Sequence, residues 1–193
     1  MEQSFNISQS ANFEPAATRT LADWAESIVY TAESLYGPRD KRYTLSNIGF
    51  AENGPCIWYP PIAGHIEIRL GPNALGRLDL TVYQLAHECI HLLSPSGDAD
   101  GLTLEEGLAT KFSEDYVAEN VSVVTAFNKH YASAAADVRN LLSIHPDAVK
   151  QLRAIEPAFY KMNRETFEQA GLLDVPPPLL DRLLMSFRDY CTN

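Results

Sequence analysis

Two histidines four residues apart, with a glutamate directly after the first, stand in His87-Glu88-Cys89-Ile90-His91, the part of this 193-residue chain best suited to chemistry. On a helix, residues four apart lie one turn above each other on one face, so both imidazoles can hold a single metal ion. Glu88 then projects beside that ion, where a carboxylate can take a proton from water. Within the apolar stretch TVYQLAHECIHLL, Glu88 is the one acidic or basic residue apart from the histidines, which suits a water-poor site. Burying two imidazoles and an unpartnered carboxylate is costly unless a metal or hydrogen bonds compensate.

The chemistry requires a helix, and the flanking residues predict one. Thr81 with Gln84 reads as a capping box, and Leu80 with Leu85 as the accompanying hydrophobic staple. Val82, Leu85, Ala86, Ile90 and Leu93 recur at helical spacing, and Pro95 and Gly97 supply the stop. The expected element is a buried helix of about three turns. Cys89 within it reads as a small buried apolar residue.

A catalytic metal site needs three protein ligands and one open position. Ser94 and Gly97 close the route through an extended motif with a third histidine, so the third ligand must come from elsewhere. Downstream, GLTLEEGLATKFSEDY places Leu104, Leu108 and Phe112 at helical spacing behind the pair Glu105-Glu106. The carboxylate candidates are Glu106, Glu105, Asp98 and Asp100. Glu106 has an alternative role, since Thr103-Leu104-Glu105-Glu106 is itself a capping box, and Glu105 fits a first-turn acid facing the helix dipole. Asp98-Ala99-Asp100-Gly101 lacks the donor spacing of a calcium loop and reads as a polar turn.

With Glu106-Gly107-Leu108-Ala109 added, the chain resembles the gluzincin-type metallopeptidases, in which HExxH is followed by a second helix carrying Glu-Gly-x-Ala or a similar run; the likeness spans positions 80 to 116. The resemblance implies Zn2+ held by His87, His91 and Glu106, with Glu88 as general base. It implies that Gly107 and Ala109 let the two helices approach closely. Such sites often add a Tyr or His that stabilises the oxyanion, and His130 and Tyr131 stand at a suitable place. The implied activity is hydrolysis of a peptide or protein substrate, bound as an added strand on a sheet edge, for which Ile66–Leu70 is the candidate. The rival expectation is a non-catalytic zincin-like module that binds a peptide or protein partner.

The remaining elements frame this site. Ala16–Tyr36 reads as an amphipathic helix ended by Gly37-Pro38, and short β-prone runs follow at Tyr43–Leu45, Cys56–Tyr59 and His65–Leu70. After Glu119, helices are expected over Val123–Ser143, Pro146–Ile155, Arg164–Gly171 and Pro178–Tyr190, with Asp174–Pro178 a stiff connector. The fold class expected is α+β: a zincin-like core with a small mixed sheet, an HExxH helix and a glutamate helix, plus a C-terminal helical lobe. One domain is expected over 1–193, with 1–119 carrying the site and 120–193 a helical subdomain.

A hydrophobic content of 46% supports a substantial core, and a formal net charge of −10 without a Lys/Arg cluster disfavours nucleic acid or an anionic membrane as partner. No apolar run is long enough to cross a bilayer, and MEQSFNISQSANFEP lacks the pattern of a secretion signal. Three scattered cysteines argue for a reducing compartment, so a cytoplasmic location is expected. His65 and His145 stand alone and read as structural or exposed, and the sequence sets no oligomeric state.

Overall fold

A computed structural model describes residues 19–97, 100–126 and 128–192, and these form eight α-helices and a three-stranded sheet, an α+β architecture. Helix α1 (Leu21–Tyr36) opens on Thr20, whose hydroxyl accepts from the Asp23 N–H while the Asp23 carboxylate accepts from the Thr20 N–H. It ends at Gly37, whose φ of 94° suits a residue without Cβ. Of the start expected from Ala16, residues 16–18 fall outside the described residues, and Arg19 and Thr20 precede the helix.

Strands β1 (Thr44–Phe50), β2 (Cys56–Trp58) and β3 (His65–Leu70) pair in the order β1-β3-β2, with β1 parallel and β2 antiparallel to β3. Ile66, Ile68 and Leu70 are buried, while His65, Glu67 and Arg69 alternate with them on the wetter face. β3 is therefore the central strand, hydrogen-bonded on both sides. This corrects the expectation that Ile66–Leu70 is an edge open to an added strand. Alternation reports which face is wet; it carries no information on lateral position, and the free edges belong to β1 and β2.

Helix α2 (Leu78–His91) begins one turn earlier than its sequence signals suggest. The Thr81 hydroxyl donates to the Ala74 carbonyl at 2.9 Å, and the Gln84 side-chain oxygen accepts from the Gly71 N–H at 2.8 Å. Thr81 and Gln84 thus tie the helix to the preceding 3-10 turn (Pro72–Ala74) instead of capping it.

Helix α3 (Thr103–Asn120) packs against α2 on one side and against α4 (Lys129–Ile144) on the other. Ile28, Ile68, Leu85, Ile90, Leu104 and Leu108, drawn from α1, β3, α2 and α3, are fully buried in one core. Each such side chain contributes about 1.5–3 kcal/mol.

The helices α5 (Ala148–Ile155), α6 (Arg164–Gln169), α7 (Pro177–Leu184) and α8 (Phe187–Tyr190) complete the chain. After Glu119 two expected helix boundaries move by more than two residues. Residues 123–126 are not helical; the Ala126 N–H is taken by the Glu114 carboxylate at 2.7 Å, and α4 starts only after Asn128, whose side chain accepts from the His130 N–H. The expected helix Pro178–Tyr190 breaks at Met185–Ser186 because the Met185 carbonyl accepts from both the N–H and the hydroxyl of Thr103. No helix among the described residues is long and apolar enough to cross a membrane.

Candidate metal centre

His87 and His91 occupy the last turn of α2, their ring centroids 5.1 Å apart. The first turn of α3 faces them. Glu106 places one carboxylate oxygen 3.3 Å from His87 Nε2 and the other 3.7 Å from His91 Nε2. One donor atom from each of His87, His91 and Glu106 lies within 4.8 Å of the others, and the three side chains keep 12%, 17% and 18% exposure, shielded but reachable. Two imidazole nitrogens and a carboxylate oxygen form a donor set that could hold a divalent metal ion.

Glu106 is free to face the histidines because α3 starts without a side-chain cap. Leu102 is the N-cap residue, and its carbonyl accepts from the N–H groups of Glu105 and Glu106. Thr103 lies inside the helix and spends its hydroxyl on Met185, so the capping box with Glu106 does not form. The entry is held instead by a distant segment. Leu102 and Ser186 form an antiparallel bridge, flanked by Thr103 N–H to Met185 O and Phe187 N–H to Gly101 O, both at 2.9 Å.

The other carboxylate candidates go elsewhere. Glu105, 2% exposed, accepts from His91 Nδ1 at 2.8 Å, behind the ring and away from the cluster of donor atoms. Asp100 pairs with Arg188 at 2.8 Å near the surface. Asp98 lies outside the described residues. The backbone at Gly101 runs against the acidic pair: a Cβ there would sit 3.3 Å from a Glu106 oxygen and 3.9 Å from Glu105 Oε2.

The charges at the centre interact strongly. Burial alone would depress His91, but the carboxylates of Glu106, Glu105 and Glu88 outweigh it and lift the imidazole to about 10. Burial works upward on Glu106, yet His91 and His87 prevail and bring it down to about 2. Glu88, 4% exposed, is pushed above the usual carboxylate range by burial, against the pull of both histidines. A carboxylate so placed is a stronger base than one in water.

Tyr131, on α4, sets its ring edge-on to His87 with centroids 5.7 Å apart, and burial followed by Glu106 and Glu88 pushes its phenol well above the ordinary range. It is an O–H donor at neutral pH. His130, half-buried one residue earlier, makes no ring contact with the cluster among the described residues. Gly107 also departs from its expected role. A Cβ at this position would lie 2.4 Å from the Ala134 carbonyl oxygen, so its missing side chain serves the crossing of α3 with α4 and not with α2.

Two contributors carry no local sequence signal. Arg153 on α5 is 5% exposed and donates to the carbonyls of Tyr36, Gly37, Pro38, Leu93 and Pro157, which ties the turn after His91 to the end of α1. Phe187 on α8 packs against Tyr131, ring centroids 4.7 Å apart and planes tilted by 53°. An arginine after Leu152 and a phenylalanine near the C-terminus reveal nothing of these partners until the chain is folded. The chain matches no known family, no curated protein and no solved structure.

Proposed function

We propose that this chain is a cytoplasmic zinc-dependent peptidase of gluzincin type, with His87, His91 and Glu106 as the residues that would hold the metal. The observation that carries the reading is the convergence of these three donors from two helices within 4.8 Å, at a half-shielded position beside the buried Glu88. Three protein donors is the number that leaves a coordination position for water. Bound zinc would supply Lewis acidity, polarising a carbonyl and making water a better nucleophile at neutral pH.

The chain's own residues would do the rest. Glu88 accepts the proton of the attacking water and returns it to the leaving amine, a task that suits a carboxyl raised by burial. Tyr131, and not His130, donates its O–H toward the oxyanion that develops on the substrate carbonyl. The substrate is a peptide or protein, and the edge strand on the α2 side of the sheet is β2.

The test joins metal analysis of the purified protein to a cleavage assay on a mixed peptide library. The wild type is expected to carry about one zinc and to cleave. Glu88→Gln is expected to keep the metal and lose about 10²–10⁴-fold in turnover, the range for a general base. Retained turnover in that variant refutes the assigned base. Zinc without cleavage by the wild type points to the non-catalytic peptide-binding module, and no zinc overturns the peptidase reading.

A further inference from the structure

Glu105 and Glu106 are adjacent on a helix, so their side chains leave it about 100° apart and cannot serve the same atoms. Glu106 spans the two Nε2 atoms, while Glu105 reaches the opposite side of the His91 ring, its Oε1 2.8 Å from Nδ1. We propose that Glu105 is a positioning residue that holds the His91 ring with Nε2 facing Glu106 and His87 and thereby tightens divalent-metal binding. This rests on the metal-site reading given above.

Three observations carry it. First, a carboxylate oxygen can only accept, so the His91 Nδ1 must bear the hydrogen in this contact. In neutral imidazole that leaves Nε2 as the unprotonated nitrogen, the one facing Glu106 and His87. A ring held at Nδ1 is also fixed in rotation. Second, Glu105 is 2% exposed, whereas an acid that merely complements the helix dipole can remain in water. Third, its second oxygen, Oε2, is buried without a hydrogen-bond partner among the described residues. A site selected only for a hydrogen bond at Nδ1 would be served as well by a neutral amide or a backbone carbonyl. A buried, half-satisfied carboxylate is costly, and its negative charge makes the imidazole a stronger donor to a cation. The buried guanidinium of Arg153 is committed to carbonyls and acts on Glu105 only through space.

Two substitutions separate geometry from charge. Glu105→Gln keeps an acceptor for Nδ1–H and removes the charge; Glu105→Ala removes both. The readouts are the Zn2+ dissociation constant, from competition with a chromophoric chelator, and the ¹⁵N shifts of the His91 ring in the zinc-loaded protein. Thermal melts with chelator present confirm that each variant is folded. The expected result is a Kd about 10-fold weaker for Glu105→Gln and about 100-fold weaker for Glu105→Ala, the range for partners of metal-bound histidines. In the alanine variant the His91 ring is expected to lose its single Nδ1–H signature. If Glu105→Ala does not fold, the Glu105→Gln affinity decides. Folded variants that bind Zn2+ within twofold of the wild type overturn the positioning role while leaving the metal site standing. A wild type that binds no Zn2+, or binding untouched by His91→Ala and Glu106→Gln, removes the metal site and this role with it.

Discussion

Gly107→Ala tests whether the crossing of α3 with α4 is as tight as the backbone geometry states. The added Cβ would meet Ala134 O at 2.4 Å, Ala134 C at 2.7 Å and Val138 Cγ2 at 2.9 Å. Two of these atoms are backbone, so no rotamer change clears them, and α4 must retreat by about 1 Å to restore ordinary contact. Overpacking of this kind costs about 1–3 kcal/mol, and a backbone obstacle belongs at the upper end. Alanine recovers about 1 kcal/mol of helix propensity, which leaves a net loss of about 2 kcal/mol. For a chain of this size that corresponds to a melting temperature about 4–8 °C lower. Circular dichroism melts in chelator measure it without any contribution from bound metal. Because the obstacle is the carbonyl of Ala134 and not its methyl group, Ala134→Gly in the same molecule should bring no rescue. Val138→Ala should relieve only the side-chain part. The retreat of α4 carries Tyr131 away from His87, so under the proposed function peptidase turnover should fall with the melting temperature. A Gly107→Ala protein as stable as the wild type would show that the two helices can separate freely, and the reasoning would fail.

The His91–Glu106 pair should stabilise the metal-free protein most between about pH 4.5 and 6.5. His91, raised from 6.5 to about 10, contributes stability that is complete below 6.5 and lost as pH climbs toward 10; Glu106, lowered from 4.5 to about 2, contributes above 4.5 and is lost as pH falls toward 2. Urea midpoints in chelator across this range provide the check, and a midpoint that rises steadily from pH 6.5 to 9.5 contradicts the assignment. Arg153→Ala should cost at least about 3 kcal/mol, since it abandons five carbonyls, of which those of Tyr36 and Leu93 lie in the interior. A denaturant-measured loss below about 0.5 kcal/mol, the scale of an ordinary surface change, would deny Arg153 its part in holding the turn after His91.

How much of this was legible beforehand depended on whether the deciding contact is local. The pairing of His87 with His91 is a matter of one helical turn, and the apolar spacing around it suffices to predict the helix. The start of that helix is different: Thr81 and Gln84 have the right types for a cap, but a tertiary contact with Gly71 and Ala74 takes both side chains. Sequence supplies the donors and acceptors; the fold decides which pair first. The same holds for β3, whose alternation shows its buried face and leaves its central place to be settled by β1 and β2.

Glu106 illustrates the limit most clearly. From the sequence, Thr103 and Glu106 could equally close a capping box or release the carboxylate to a metal, because both outcomes use the same residues at the same spacing. The structure excludes the capping box through Met185 and Phe187, whose backbone groups pair with Thr103 and Gly101, and leaves the Glu106 carboxylate beside the two histidines. Once the entry to α3 is held from outside, its first-turn acids are no longer needed as caps, and Glu105 and Glu106 can both turn toward α2. The C-terminal segment thereby holds the helix entry from which both carboxylates project. It follows that the short stretch around Ser186, with no chemistry-bearing residue of its own in the cluster, belongs to the physical basis of the site as much as the helix that bears its histidines.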